Sequence, residues 1–444
     1  MMNWERLISA KRFGMERYYD AKHDRRSVFQ RDYDRLIFSA PFRRLQNKTQ
    51  VFPLPGSVFV HNRLTHSLEV ACVGRSLGYG VSDRLKERYG AEGGHFDEIG
   101  SIVAAACLAH DMGNPPFGHS GENAIATYFS EGKGMTLKER HGLTDAEWAD
   151  FTHFDGNANA FRLLTHRFNG RREGGFAMTY STLASIVKYP FEAVNADGKK
   201  CKFGFFQSEK EAYGRIAGEL GIADAPEGNG RKARYPLVYL VEAADDICYQ
   251  VMDVDDAFKL KLLSFEQTRE LLMAFLPEER QQRAERIFET VKDENERVGY
   301  LRSTVIGILI DECVRVFAEH EDEILAGKFK GALIDCIGER PRAAYRQMSK
   351  LAVGKIYRAQ MVLDIELAGY RIITELMDDL MSAVFEPEKS YSRQLLNRIP
   401  AQYDVQSESA YGRILSVIDY VSGMTDIYAL DLYRKITGMN LPTL

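Results

Sequence analysis

The amino-acid sequence predicts an all-α fold, because apolar residues recur at three- and four-residue spacing along most of the chain. The 444 residues include no internal repeat, low-complexity tract or Pro/Ser-rich linker, so we expect one continuous body over 1–444. The helical pattern is found in 63–89, 96–112, 120–130, 235–258, 265–294, 298–327 and 353–384. One departure is expected near 191–206, where Asp197-Gly198 between short β-prone runs predicts a small β-hairpin.

The composition is that of an ordinary globular protein, with 45% hydrophobic and 27% charged residues. A formal net charge of -5 gives no sign of a general affinity for nucleic acid or anionic membranes, so any polyanion site must be local. The six cysteines form no C-x-x-C pair, which argues against a disulfide framework and favours a reducing compartment. We find no apolar leader and no membrane-length apolar run, and we therefore expect a soluble, cytoplasmic protein.

The segment 96–112 places a histidine on an apolar helix face. Apolar residues precede His110 at spacings of three and four, so its imidazole should point inward with them. Asp111 follows directly, and Pro115-Pro116 must end the helix shortly afterwards. A histidine and an aspartate at the end of one helix can bind the same ion.

Two other helices show the same feature. His66 interrupts the apolar stripe of 63–89, and Asp245 interrupts that of 235–258. Each alone is explained by a satisfied core histidine or a helix-capping carboxylate. Buried carboxylates need partners, however, and His66, His110, Asp111 and Asp245 together form a nitrogen and oxygen ligand set. That set suits one divalent transition metal such as Mn, Fe, Co, Ni or Zn better than an all-oxygen Mg or Ca cage.

Several motifs resemble the bacterial dGTP triphosphohydrolases of the HD phosphohydrolase superfamily. The ligand candidates follow the H…HD…D order of that superfamily. The matching motifs are RRLQNKTQVFPL (43–54), RLTHSLEV (63–70), HDMGNPPFGHSGE (110–122), HFDGNAN (153–159), EAADDICY (242–249), IELAGYRII (365–373) and DYVSGMTDIYALDLYR (419–434). The resemblance implies an HD-domain helical bundle, with a metal-binding core over about 30–260 and a C-terminal helical region over about 261–444 that completes the nucleotide pocket.

The resemblance also implies an activity. It is the metal-dependent hydrolysis of dGTP, or of other deoxynucleoside triphosphates, at the α-phosphate, which releases the deoxynucleoside and tripolyphosphate. The ion in use would be Mn or Mg, with Fe, Co, Ni and Zn as alternatives. Relatives form tetramers or hexamers, so we expect a homo-oligomer without a membrane partner, and single-stranded DNA or a nucleotide effector are further ligands that the family allows.

The pair His119 and Glu122 follows the HD pair and stands at the start of the helix 120–130. A spacing of three lets the side chains face each other, so Glu122 could hold the imidazole protonated. We expect His119 to be the general acid for the departing 5′ oxygen and Glu122 to orient it. The alternative is a capping pair, in which Glu122 only binds a free backbone N–H.

A triphosphate requires cationic side chains along its approach. The sequence offers Arg43, Arg44, Lys48, Arg63 and Lys188. The resemblance places Lys188 and Tyr189 beside the phosphates and sugar, with Asn157 nearby.

Recognition of the deoxyribose and base is assigned mainly by the resemblance. Tyr249 stands one helical turn beyond Asp245, where an aromatic face could exclude a 2′-hydroxyl, although a core aromatic explains it equally well. The family places Gln50 and Asp253 near the sugar. It also suggests Glu366 as reader of the guanine N–H groups, Tyr357 as a stacking ring, and Arg393 as a pocket residue from a neighbouring subunit.

Two alternatives stay open. One is an HD hydrolase of another nucleotide, such as a broad dNTPase or an alarmone hydrolase. The other is a nucleic-acid-binding or regulatory protein with a vestigial site.

Overall fold

The computed structural model describes residues 1–16, 25–53, 60–90, 95–196, 201–226 and 228–439, and these residues form a helical protein. The first helices are α1 Trp4–Leu7, α2 Val28–Ile37, α3 Ala40–Arg44, α4 Arg63–Tyr89, α5 Ile99–Ala109, α6 Gly118–Ser130, α7 Leu137–His141, α8 Asp145–Thr152, α9 Gly156–Thr165, α10 Tyr180–Ile186, α11 Lys210–Leu220 and α12 Val238–Lys259. The remaining helices are α13 Phe265–Met273, α14 Glu278–Thr290, α15 Glu294–Glu319, α16 Glu321–Leu325, α17 Glu339–Leu351, α18 Gln360–Phe385, α19 Ser390–Leu396, α20 Ala410–Ser422 and α21 Asp426–Ile436. The predicted all-α class is confirmed.

Three of the predicted long helices are interrupted. The segment 265–294 is two helices, because Pro277 adopts extended angles and starts α14. Within the segment 298–327, the long helix α15 ends at Glu319 and the short helix α16 follows it. The segment 353–384 begins with a π-helical turn over Ala352–Ile356, and α18 starts only at Gln360. Apolar spacing continues across all three breaks, so periodicity alone did not reveal them.

Only part of the predicted hairpin lies within the described residues. Its turn at Asp197-Gly198 lies outside the described residues. The described flanks contain a 3-10 turn over Ala193–Asn195 and one isolated parallel bridge between Glu192 and Phe205. No strand occurs in those flanks, so the excursion there is an irregular segment rather than a pair of antiparallel strands.

The buried apolar residues form two clusters. The first surrounds α4, α5, α12 and α15, and almost the whole of α5 is buried. The second surrounds α6, α8, α18 and α20. The connection between α5 and α6, which carries the HD motif, therefore lies where the two clusters meet. No helix in the described part of the chain is long and apolar enough to cross a membrane.

A candidate metal centre and active site

Three of the predicted metal ligands converge. His66 lies on α4, His110 follows the last residue of α5, and Asp245 lies on α12. Asp245 Oδ1 is 3.1 Å from His66 Nε2 and 3.5 Å from His110 Nε2. The ligand atoms of the three residues all lie within 4.8 Å of one another, close enough to share one ion.

The tautomer of His110 is defined by its backbone partner. Nδ1 lies 2.6 Å from the carbonyl oxygen of Cys107, and because a carbonyl can only accept, Nδ1 must carry the proton. The opposite nitrogen, Nε2, is buried and has no hydrogen-bond partner. A buried imidazole nitrogen that faces a carboxylate and has no hydrogen bond of its own is placed to bind a metal ion, and the backbone bond at the opposite nitrogen is the usual support for such a ligand.

Asp111, the fourth predicted ligand, stands beside this group and is held by other partners. Its Oδ2 accepts a hydrogen bond from Arg63 Nη1 at 2.7 Å, and its Oδ1 lies 3.7 Å from His110 Nε2. Burial raises the pKa of Asp111, but the charge of Arg63 lowers it further, so the net pKa lies below the ordinary value. Asp111 is therefore an ionised carboxylate at the edge of the cluster.

The carboxylate of Asp245 is also kept ionised. Burial raises its pKa, while the charge and hydrogen bonding of His110 and His66 lower it, and the net pKa lies well below the ordinary value. Two imidazoles and two carboxylates therefore meet as a nitrogen and oxygen ligand set that suits a divalent cation.

A cavity of about 210 Å³ opens beside the cluster. It is lined by most of the predicted site residues and by several that the sequence did not single out. The predicted residues on its wall are Gln50, Arg63, His110, Asp111, His119, Glu122, Asn157, Lys188, Tyr189, Asp245 and Tyr249. The additional polar residues are Asn114, Ser185, Lys202 and Glu242.

His119 and Glu122 both reach the cavity from α6, but they are not hydrogen bonded to each other. His119 is exposed, whereas Glu122 is buried and its Oε1 accepts the backbone N–H of Gly156 at 2.7 Å. That N–H belongs to the first residue of α9, so Glu122 caps a neighbouring helix instead of orienting His119. Burial and the charge of Asp155 raise the pKa of Glu122.

The close approach of α6 and α9 depends on a glycine. A Cβ atom on Gly156 would lie 1.9 Å from the Oδ1 of Asn114 and 2.8 Å from the Oε1 of Glu122. Any side chain at this position would therefore push Asn114, which lies between α5 and α6, and Glu122 away from α9. The glycine of the HFDGNAN motif is explained by this contact.

Two lysines reach the cavity, each beside a carboxylate. Lys188 Nζ lies 2.9 Å from Glu242 Oε1, and this charge raises the pKa of Lys188 more than burial lowers it. Lys202 Nζ lies 3.1 Å from Asp155 Oδ2. Sequence reasoning missed Lys202 because it follows the irregular excursion, where no periodicity indicates which lysine faces inward.

Four predicted substrate residues do not line the cavity within this chain. Asp253 accepts a hydrogen bond of 2.7 Å from Tyr357 Oη, and the Tyr357 ring centroid is 5.8 Å from that of Tyr249. This pair therefore lies directly behind a cavity residue. Glu366 is exposed on α18, and its backbone oxygen accepts a 2.5 Å bond from Ser120, next to His119. Arg393 is exposed on α19 and is absent from the cavity wall.

Lys48 and Arg44, expected on the approach of a triphosphate, have structural partners instead. Lys48 is buried and donates to the backbone oxygens of Asn114 and Ser422, at 2.6 and 2.8 Å. Burial and the nearby charge of Arg44 lower the pKa of Lys48 to about 7. Arg44 donates to the backbone oxygen of Gly423. Lys48 thus connects the segment between α5 and α6 to the C-terminal helices, and Arg44 connects α3 to them. Neither cation is available to bind phosphate.

Comparison with known protein families defines the class. Residues 63–212 match the HD domain, and residues 336–435 match the phosphohydrolase-associated domain. The all-α fold and the His/Asp cluster agree with this assignment, and the chain is an HD-domain phosphohydrolase.

Full-length relatives narrow the assignment. The chain is 37% identical to a deoxyguanosinetriphosphate triphosphohydrolase-like protein of Synechocystis, over 99% of this chain and 100% of the relative. It is 36% identical to a protein of the same name from Pseudomonas aeruginosa, over the full length of both. It is 30% identical to a deoxyguanosinetriphosphate triphosphohydrolase of Yersinia enterocolitica, over 98% of this chain and 99% of the relative. The chain belongs to this dGTP triphosphohydrolase family.

Proposed function

We propose that this protein hydrolyses dGTP at the α-phosphorus and releases deoxyguanosine and tripolyphosphate, with other deoxynucleoside triphosphates as weaker substrates. The observation that best supports this proposal is a single cavity, whose wall combines residues of the candidate metal cluster, an exposed histidine and two lysines. Family membership supports phosphate-ester hydrolysis. The guanine preference is supported by the names of relatives such as the Yersinia protein.

His66, His110 and Asp245, with Asp111 beside them, would hold one divalent ion, for which we propose Mn or Mg. The buried, unpartnered Nε2 of His110 supports this fit. When bound, such an ion polarises a phosphoryl oxygen and lowers the pKa of water.

The chain's own residues would supply the remaining chemistry. His119 is exposed to the cavity and can give its proton to the departing 5′ oxygen of the deoxynucleoside. Lys188 and Lys202 bring two positive charges to the cavity wall, where they would neutralise the tripolyphosphate group as it leaves. Glu122 would contribute indirectly, by holding α9 in place, because it accepts the backbone N–H of Gly156.

The sugar would bind between Tyr249 and Gln50. The Oε1 atom of Gln50 is buried without a hydrogen-bond partner and lies on a residue of the cavity wall, so it can accept a bond from a sugar hydroxyl. Tyr249 is backed by the ring of Tyr357, which is hydrogen bonded to Asp253, and this support would keep the Tyr249 ring against the 2′ position.

Guanine would be read at the mouth of the cavity, where Glu366 stands next to His119 through the bond between Ser120 and its backbone oxygen. Arg393 would enter this region from a neighbouring subunit, because it does not reach the cavity of its own chain.

We also propose a homo-oligomer. Part of α18 exposes several large apolar side chains that a second copy would cover: Met361, Leu363, Leu367 and Tyr370. Glu366 lies within the same stretch, so subunit contact would form beside the cavity mouth.

The deciding experiment is a panel of deoxynucleoside triphosphates incubated with Mn²⁺ or Mg²⁺, with the products identified by ³¹P NMR. Tripolyphosphate and deoxyguanosine, formed fastest from dGTP, are expected. Pyrophosphate and a monophosphate would refute cleavage at the 5′ oxygen and favour another HD nucleotide hydrolase. If no nucleotide were hydrolysed with any divalent ion, the result would favour a nucleic-acid-binding or regulatory protein with a vestigial site.

A further inference from the structure

Asp155 is fully buried in the turn between α8 and α9, yet both of its oxygens contact side chains of the cavity wall. Oδ1 accepts the backbone N–H of Asn157 at 2.8 Å and its side-chain Nδ2 at 2.7 Å. Oδ2 lies 3.1 Å from Lys202 Nζ, which makes an ion pair, and this oxygen has no hydrogen-bond partner. One carboxylate therefore connects two residues that line the cavity from different segments.

The Lys202 ammonium lies between two carboxylates, and Asp155 provides the nearer one. Nζ is 3.1 Å from Asp155 Oδ2 and 3.8 Å from Glu122 Oε2, so Asp155 is the closer of its two carboxylate partners. The Asp155 side chain is 1% exposed and that of Lys202 is 28% exposed, so the pair is shielded on one side and faces the cavity on the other. A shielded carboxylate attracts the ammonium strongly, because little water lies between the two charges to screen them.

The same carboxylate orients Asn157. A carboxylate only accepts hydrogen bonds, so the amide nitrogen of Asn157 must face Asp155. The amide oxygen and the second N–H are left for other partners on the cavity wall.

We propose that Asp155 is a positioning residue of the active site, which directs Lys202 and Asn157 toward the tripolyphosphate group of the substrate. This inference rests on the proposed function. No hydrogen bond or ion pair joins the Asp155 side chain to the candidate metal ligands or to His119, so it would act through Lys202 and Asn157.

An ordinary helix cap is the competing explanation. Asp155 is the N-cap of α9, and its side chain accepts the N–H of Asn157. Asparagine and serine are comparable N-caps, so Asp155→Asn and Asp155→Ser keep the capping acceptor while removing the charge that holds Lys202. If Asp155 were only a cap, both variants would behave like the wild type.

The test is a double-mutant cycle on the full-length chain, with inorganic tripolyphosphate as the probe and calorimetry in the presence of Mn²⁺ as the measurement. Lys202→Met should weaken binding roughly tenfold in the wild-type background. It should weaken binding by less than about twofold in the Asp155→Asn background, because Lys202 is no longer directed there. Asp155→Ser provides the same comparison if the asparagine variant does not fold.

Activity gives a second, separate readout. We expect Asp155→Asn to lower kcat for dGTP on the order of 10- to 100-fold, with a smaller change in KM. An equal effect of Lys202→Met in both backgrounds would overturn the proposal, as would a wild type that binds no tripolyphosphate. A positive cycle in a protein that hydrolyses no nucleotide would instead refute the proposed function and keep the role of Asp155 in holding Lys202.

Discussion

His66 Nε2 lies 3.1 Å from Asp245 Oδ1, although 179 residues separate the two along the chain. The same oxygen is 3.5 Å from His110 Nε2, which has no hydrogen-bond partner of its own. One carboxylate oxygen shared by two imidazoles would be an unusual arrangement for core packing alone. It is the arrangement expected where three helices provide ligands to a common ion.

Asp245→Asn should therefore abolish metal binding and activity together. The variant keeps the volume of the side chain but removes the negative charge that two imidazoles face. We expect the affinity for Mn²⁺ to fall by at least about 100-fold, since even outer-shell partners of a metal contribute 10- to 100-fold. Elemental analysis of dialysed protein measures this, with Asp246→Asn as the matched control on the same helix. Stoichiometric metal in Asp245→Asn would refute the ligand assignment.

Periodicity was enough to locate the three residues that converge in the candidate metal site. His66, His110 and Asp245 each interrupt an apolar stripe, and a buried polar residue within such a stripe requires a partner whatever the rest of the fold is. The helical class followed from the same pattern. The breaks at Pro277 and before Gln360 did not, because apolar spacing continues across them.

The contacts of loops and capping residues could not be predicted in this way. Glu122 was expected to face His119, but its partner is the N–H of Gly156, which only tertiary packing brings to it. Lys48 was expected to bind phosphate, but it is buried against two backbone oxygens. Local spacing places a side chain on a face of its own helix, whereas these partners come from other elements.

His119→Ala should reduce turnover while the protein keeps its metal. Because His119 lines the cavity but is not one of the clustered ligand residues, its loss should remove a proton donor without disturbing the ion. We expect kcat for dGTP to fall on the order of 10²- to 10⁴-fold. Steady-state kinetics and metal analysis are measured together, and His95→Ala, an exposed histidine away from the cavity, should behave like the wild type. Unchanged kcat would remove His119 from the mechanism.

Glu366→Ala should relax base selection more than it lowers overall activity. A carboxylate that pairs with the guanine N–H groups stabilises dGTP, and adenine offers no matching pair of donors at that edge. The ratio of kcat/KM for dGTP over that for dATP should fall about tenfold or more. Glu375→Ala, on the same helix further from Ser120, is the control. An unaltered ratio would show that Glu366 does not read the base.

Leu367→Glu should dissociate the proposed homo-oligomer. Leu367 is 72% exposed on α18, amid other exposed apolar side chains, and a charge there would be buried without a partner in any subunit contact. Light scattering coupled to size exclusion should show a smaller species than the wild type. Ile427→Glu, at another exposed apolar position on α21, should leave the mass unchanged. Identical masses for wild type and Leu367→Glu would place the contact elsewhere.

Asp150 should make stability depend on pH. Its Oδ2 accepts hydrogen bonds from Tyr411 Oη at 2.5 Å and from the N–H of Gln207 at 2.7 Å, while Oδ1 is buried without a partner. Burial, with further contributions from Glu209 and Glu192, raises the pKa of Asp150 to about 7. In the unfolded chain this carboxyl loses its proton near its ordinary pKa of 3.8. Between those two values the folded protein binds more protons, so its stability falls as the pH rises and levels off above about 7.

Asp150→Asn removes this dependence but keeps an acceptor for both hydrogen bonds. Relative to the wild type, the variant should gain stability as the pH rises from about 5 to about 8, by roughly 1.4 kcal/mol for each pH unit between 5 and the folded-state pKa of about 7. The difference in Tm between variant and wild type, measured at both pH values, tests this. Asp145→Asn, on the exposed start of the same helix, should show no change over that interval, because the pKa of Asp145 is lowered by Lys138. A Tm difference for Asp150→Asn that is the same at both pH values would mean that Asp150 is already ionised at the lower one.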